Sequence, residues 1–268
     1  MDESLLRTVE GFTLQFKLKI QKIAEANNSR LVLALDFPFQ NLHSRQELIS
    51  KADNLLEQVY PYLCAVKINN HLVLPLGLFD GVKNIVDKIH DKGLLVIMDA
   101  KVNDIGNTNQ IIADYYYAAG FDAIIANPFI GWEDGLKPLF ETSRRQDKGV
   151  ILLTYMSHKG AVEGYGQTVT EPSTGKSIPQ YLMFAQKDVA YEADGAVVGA
   201  TIPEKIHEIH QILGEKVPIY SPGIGAQGGS AETAIKAGTT YLIVGREIVS
   251  AENPAEAARK LWNLTKIV

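Results

Sequence analysis

Gly93-Leu-Leu-Val-Ile-Met98 runs directly into Asp99-Ala-Lys101-Val-Asn-Asp104 and then Ile-Gly-Asn-Thr108: an apolar segment, a cluster of charges and a helix-like start. The first part has the length and branched aliphatic content of a strand buried on both faces, as in a parallel sheet. The amide and hydroxyl residues at 107–109 suit the opening of a helix. Asp99, Lys101 and Asp104 therefore fall at the carboxyl end of a strand, the end at which a barrel enzyme keeps its chemistry. Two carboxylates and an ammonium crowded together cost desolvation unless they are paired or used, so the alternatives are a functional site and a structural salt-bridge cluster.

The same unit recurs along the chain. Apolar runs at 31–36, 64–67, 94–99, 123–127, 150–154, 195–198, 219–221 and 241–244 are each followed by polar or glycine residues and a helix-compatible segment. Helices are expected at 44–59, 79–91, 107–119, 132–146, 178–192, 203–213, 230–237 and 254–265. Eight such units predict an α/β fold, a (β/α)8 TIM barrel, with an open doubly wound sheet as the alternative. Residues 1–268 read as one domain, with 1–28 as an N-terminal helical extension carrying Leu5, Val9, Phe12, Leu14, Phe16, Ile20 and Ile23 among charges. This extension is expected to cap the barrel or join its outer layer. Residues 158–176 hold four glycines, one proline and no sustained period, which predicts a mobile cover over the end of the fifth strand.

Composition narrows the class. A chain of 268 residues with 46% hydrophobic and 21% charged residues can bury a sizeable core. A net charge of -5 offers no general attraction to nucleic acid or an anionic membrane, while leaving room for a local basic pocket. The single cysteine, Cys64, lies in the apolar run Tyr62-Leu-Cys-Ala-Val66 and reads as a small core residue. No apolar stretch reaches the roughly eighteen residues needed to span a bilayer, and the first ten residues lack a signal peptide's pattern. The expectation is a soluble, cytoplasmic protein with neither nucleic acid nor membrane as partner.

If the strands close into a barrel, the polar residues at their ends converge: Asp36, Lys67, Asp99 with Lys101 and Asp104, Ser157, the 221–229 segment and Gly245-Arg246. In Ser221-Pro-Gly-Ile-Gly-Ala-Gln-Gly-Gly229 the glycines let backbone N–H groups approach an anion, and Arg246 adds a planar fork of donors. Loops after the seventh and eighth strands are a recurring phosphate position in this fold. The bland alternative is a tight turn, with Arg246 paired to Glu247 or Glu232. Lys67 either snorkels its ammonium out of the sheet or pairs with the strand-end carboxylates. Ser157 beside His158 lacks the elbow of a serine hydrolase, and His207 and His210 suit a solvated helix face better than a metal site. No metal ligands are assigned.

Five segments in order resemble the orotidine 5′-phosphate decarboxylase family over about residues 31–261: Val66-Lys67-Ile, Asp99-Ala-Lys101-Val-Asn-Asp104-Ile, Thr154-Tyr-Met-Ser157-His-Lys-Gly160, Ser221 to Gly229, and Ile243-Val-Gly-Arg246. The resemblance implies cofactor-independent decarboxylation of orotidine 5′-monophosphate to UMP and CO2 in de novo pyrimidine biosynthesis. It implies an alternating network of Lys67, Asp99, Lys101 and Asp104, with Lys101 as proton donor to C6 and Asp99 beside the substrate carboxylate. Asp36 and Lys67 would lie near the ribose hydroxyls. Asp104 and Thr108 would serve the ribose of the neighbouring site in a homodimer. Ser157 would bind the pyrimidine amide, and Gln227, Arg246 and the backbone around Gly245 the phosphate, with Pro222 also among the substrate-binding residues. The implied closure brings the 221–229 loop over the phosphate and the longer loop after the fifth strand over the base.

A related group, containing 3-keto-gulonate-6-phosphate decarboxylase and hexulose-6-phosphate synthase, is similar in its Asp-x-Lys-x-x-Asp strand but uses Mg²⁺. That group typically carries a carboxylate where Lys67 stands, and a second cation beside a divalent ion would weaken its binding. A noncatalytic nucleotide-binding barrel is the third alternative.

Overall fold

Eight short apolar runs account for the centre of the molecule. The computed structural model describes residues 16–37 and 44–266. Its strands are β1 (Leu31–Ala34), β2 (Ala65–Ile68), β3 (Leu95–Val102), β4 (Ala123–Ala126), β5 (Gly149–Tyr155), β6 (Thr168–Thr170), β7 (Ser177–Pro179), β8 (Gly195–Val198), β9 (Ile219–Pro222) and β10 (Tyr241–Val244). All but β6 and β7 close a parallel barrel in the order β1-β10-β9-β8-β5-β4-β3-β2. The open doubly wound sheet is thereby excluded. Every residue of β1, β2, β4, β5, β8 and β10 is buried, which is why these strands read as continuous apolar runs without alternation. Each buried Leu, Ile or Val contributes roughly 1.5–3 kcal/mol.

Around the barrel lie α1 (Phe16–Ala26), α2 (Arg45–Val59), α3 (Asn70–Leu76), α4 (Lys83–Asp91), α5 (Gly106–Ala118), α6 (Lys137–Arg145), α7 (Ala161–Gly164), α8 (Gln180–Ala190), α9 (Pro203–Leu213), α10 (Ala231–Ala237), α11 (Arg246–Val249) and α12 (Pro254–Thr265). Local signals set several ends. Ser44 and Glu47 form a reciprocal capping box on α2, Ser230 caps α10, and Asn253 caps α12 ahead of Pro254.

Four expectations require correction. The helix expected at 79–91 starts earlier, as a π-helical turn, Gly77–Val82, that runs into α4, and α3 precedes it unforeseen because Pro75 inside that segment argues against a helix. The helix expected at 132–146 likewise opens with a wide turn, in which Asp134 takes φ 53°, before α6 begins. The segment 158–176 contains α7 and one arm of a hairpin: β6 pairs with β7 antiparallel, and this pairing delays α8 to residue 180. The third strand continues past Asp99 to Val102.

Of the helical extension expected at 1–28, residues 1–15 lie outside the described residues, and α1 occupies 16–26 of the remainder. It covers the amino-terminal end of the barrel. Lys17 Nζ donates to Lys216 O at 2.9 Å and Lys19 Nζ to Asp147 O at 2.8 Å, both acceptors lying just before barrel strands. Phe16 packs onto Gly149 so closely that a Cβ there would lie 2.6 Å from the ring. At the same end Asp122 accepts from Val96 N at 2.9 Å and Lys148 Nζ at 2.9 Å, and its Oδ2 lies 2.8 Å from His90 Nε2. Among the described residues the opposite end opens into a cavity.

Candidate active site

At the open end, β3 departs from regular geometry where the charges begin. Met98 faces Ile124 and Val102 faces Ala126, so four residues of β3 span a step that two residues of β4 cover. Within this bulge Lys101 adopts φ 48°, a left-handed conformation that costs a side-chain-bearing residue about 1–2 kcal/mol. The strain has a geometric result: Asp99 and Lys101 both line the central cavity.

The charges form a continuous chain of contacts. Lys67 Nζ lies 2.8 Å from Asp99 Oδ2 and 3.5 Å from Asp36 Oδ2, and Lys101 Nζ lies 2.6 Å from Asp99 Oδ1. Lys67 pairs with the strand-end carboxylates and does not snorkel, and its side chain is buried. Burial alone disfavours its charge, but Asp99 and Asp36 outweigh it and hold the ammonium above the ordinary lysine range. Burial likewise penalises the Asp99 carboxylate, yet Lys67 and Lys101 hold it below its ordinary value. Asp36 Oδ1 is buried and has no hydrogen-bond partner among the described residues. Lys101 retains 40% side-chain exposure.

The cavity has a volume of about 490 Å³, within the range that holds a small-molecule ligand. Asp36, Lys67, Asp99, Lys101, Ser157, Pro222, Gln227, Gly245 and Arg246 all line it, although they come from six different strand ends. Asp104 and Thr108 do not. Asp104 is exposed, and its Oδ1 accepts from Ile105 N at 2.7 Å. Ser157 Oγ donates to Gln227 Oε1 at 2.7 Å, which joins the fifth strand's end to the glycine-rich loop across the mouth. In that loop Gly223 and Gly225 take φ 98° and 67°, and Glu247 lies against Gly225 where a Cβ would collide with its carboxylate. Among the described residues no group of three or more His, Cys, Asp and Glu side chains could hold a metal ion. His207 is exposed and His210 packs against Gly238, correcting its assignment to the solvated face.

Sequence reasoning missed two features of the lining. His71, in the first turn of α3, stands four residues beyond Lys67 on the same rim. A polar residue just past a strand end was the available signal. Ile125, Leu153, Val197 and Ile243 line the apolar part of the cavity from β4, β5, β8 and β10. Their inward phase could have been sought in each run, but uninterrupted apolar strands give no alternation to fix it.

Residues 29–261 match the orotidine 5′-phosphate decarboxylase / HUMPS family. Among curated relatives, the orotidine 5′-phosphate decarboxylase of Pyrococcus abyssi is 39% identical over 214 residues, covering 80% of this chain and 92% of the relative. That of Thermococcus kodakarensis is 38% identical over 236 residues, covering 87% and 95%. The crystal structure of the Pyrococcus horikoshii orotidine 5′-phosphate decarboxylase superposes with a TM-score of 0.69 at 32% identity, covering 89% of this chain and 100% of that one. The chain thus belongs to the orotidine 5′-phosphate decarboxylase / HUMPS family and stands within it among the decarboxylases of orotidine 5′-phosphate.

Proposed function

We propose that this chain converts orotidine 5′-monophosphate to UMP and CO2 in pyrimidine biosynthesis, without a metal or organic cofactor, as a cytoplasmic homodimer in which Lys101 protonates C6. The observation that carries this reading is the Lys67–Asp99–Lys101 chain of ion pairs at one side of a nucleotide-sized cavity, with Arg246 and the glycine-rich loop also on its wall.

In the proposed reaction the bond between C6 and the carboxylate carbon breaks, CO2 leaves, and the electron pair remains on C6. No carbonyl is placed to delocalise that pair. A fixed ammonium at Lys101 stabilises the developing charge and then transfers a proton to C6, leaving neutral lysine. The Asp99 carboxylate, held ionised by two lysines, opposes the substrate carboxylate more than the carbanion that replaces it. The apolar surface of Ile125, Leu153 and Val197 suits neutral CO2 better than a carboxylate. Asp36, whose Oδ1 has no partner among the described residues, and Lys67 serve the ribose hydroxyls. Ser157 serves the pyrimidine amide, while Gln227, Arg246 and the Gly245 backbone hold the phosphate beside Pro222.

Two further observations support the finer points. The Lys67 ammonium fills the gap between Asp36 and Asp99, where a divalent ion would meet like charge. Asp104 and Thr108 lie outside their own cavity, at the start of α5 with the exposed apolar residues Ile105, Ile111 and Tyr115, the last in ring contact with exposed Phe79. That surface fits a second copy of the chain, into whose site Asp104 and Thr108 would reach.

The test is the absorbance change on mixing the protein with orotidine 5′-monophosphate in EDTA. Rapid turnover by the parent, reduced at least about 10⁴-fold in Lys101→Ala, is expected. A folded parent that is inactive until Mg²⁺ is added would overturn the metal-free reading. Arg246→Ala should lower kcat/KM by about 100-fold, with added phosphite restoring turnover of a truncated nucleoside; parent kinetics in that variant would remove Arg246 from the phosphate grip.

A further inference from the structure

Asp188, on α8, lies on the side of β5 away from the cavity and has no part in the chemistry above. Its side chain is fully buried, and so is that of Thr154, whose Oγ1 donates to Asp188 Oδ2 at 2.7 Å. Asp188 Oδ1 has no hydrogen-bond partner among the described residues. A buried carboxyl with one oxygen unsatisfied costs roughly 1–3 kcal/mol, whereas an apolar pair of the same shape would avoid that cost. Full burial raises this carboxyl well above the ordinary range, against the weaker opposing pulls of the Thr154 hydroxyl and the Lys187 ammonium. Such an arrangement calls for a return other than stability.

The register of β5 supplies one. Leu153 faces Val197 and Tyr155 faces Val198, so two residues of β5 occupy the room of one on β8, and the extra residue falls at Thr154. A strand normally alternates its side chains between faces. Here Leu153 lines the cavity, Thr154 turns outward to Asp188, and Tyr155 also turns outward, into ring contacts with Tyr165 and Tyr181. Met156 and Ser157 then return to the cavity. Without the extra residue this phase would be reversed, and Ser157 would shift along the strand by about 3.3 Å. On the other flank Thr201 Oγ1 donates to Ser157 O at 2.9 Å, and Gly199 approaches so closely that a Cβ would lie 2.5 Å from Ser157 Cα.

We infer that Asp188 is a positioning residue for the decarboxylation: by holding the Thr154 hydroxyl it pins the one-residue bulge of β5 that delivers Ser157 to the cavity. The inference rests on the reading of Ser157 as the group that binds the pyrimidine amide.

A kinetic cycle on the full-length protein with orotidine 5′-monophosphate tests it. Thr154→Val should lower kcat/KM by about tenfold in the parent and by less than about twofold in a Ser157→Ala background, because coupled residues are non-additive. Asp188→Leu should repeat both results and takes the place of Thr154→Val if that variant does not fold. Asp188→Asn, whose amide oxygen can accept the same hydrogen bond, should retain parent kinetics. Equal losses in both backgrounds would reduce the pair to packing and overturn the inference while leaving the role of Ser157 intact. Parent kinetics in Ser157→Ala would instead remove that role, and the inference with it, even though decarboxylation continued.

Discussion

The two ends of the barrel each hold a buried aspartate between two basic side chains. Asp99, at the carboxyl end, sits between Lys67 and Lys101; Asp122, at the amino end, sits between Lys148 and His90. Both carboxyl side chains are 11% exposed. In each case burial opposes ionisation, the neighbouring basic groups prevail, and the carboxyl is held below its ordinary value. Buried ion pairing therefore does not separate the two. What separates them is unspent capacity and backbone cost. Asp122 also accepts from Val96 N, joining its helix-side partners to the sheet. Around Asp99 the neighbouring Asp36 Oδ1 is unpartnered among the described residues, Lys101 is exposed to the cavity, and Lys101 holds a left-handed backbone. A charge cluster that retains free donors and strain is arranged to act on something else.

The largest test of that contrast exchanges losses between the two ends. Lys101→Gly removes the ammonium, so turnover should fall at least about 10⁴-fold, while relief of the positive φ, worth about 1–2 kcal/mol, offsets most of the cost of leaving Asp99 with one basic partner and holds the stability loss to about 1 kcal/mol or less. Lys148→Met should do the reverse, costing about 3 kcal/mol in denaturant unfolding because Asp122 loses a buried partner, with kcat/KM within about twofold of the parent. If Lys148→Met abolished turnover, or Lys101→Gly destabilised the fold as strongly, the division between a structural and a chemical cluster would fail.

How far this division was legible in the sequence follows from what each feature leaves in the residue pattern. Barrel strands are buried on both sides and leave apolar runs, so 195–198 and 241–244 coincide with β8 and β10 at both ends. Helices 203–213 and 254–265 coincide with α9 and α12, each announced by a proline in its first turn. The convergence of Asp36, Lys67, Asp99, Lys101, Ser157 and Arg246 followed once eight strand ends were assumed to share a rim. The two bulges were not legible. Ala100-Lys101-Val102 contains no glycine to announce a positive φ, and nothing at Thr154 marks an extra residue, since both depend on the register of neighbouring strands. The β6–β7 hairpin was hidden for a related reason. Its strands are three residues long, and its position depends on contacts such as that from Gln186 on α8 to Glu171 at the start of the turn, which are separated by 15 residues in sequence.

The smallest expected effect concerns pH, and its sign follows from the direction of each shift. Asp99 and Asp122 bind protons less readily in the folded chain than when unfolded, so their contribution is complete above about pH 4. It is lost as pH falls through their depressed folded values. Lys67 is shifted upward, so its contribution is complete below about pH 10 and declines as pH rises through its folded value. Asp99, Asp122 and Lys67 are thus charged across the neutral range. Asp122→Asn should consequently unfold more easily than the parent by about 2 kcal/mol near neutrality. This gap should close as the pH falls from about 4 through the depressed folded value, where the parent's own carboxyl becomes neutral. The kcat should stay at the parent value throughout, since Asp122 lies at the end of the barrel opposite the cavity. A stability gap that persisted unchanged into acid would show that Asp122 acts through its shape and hydrogen bonds alone; the charge at the amino end would then be incidental, and the likeness between the two clusters would be one of composition only.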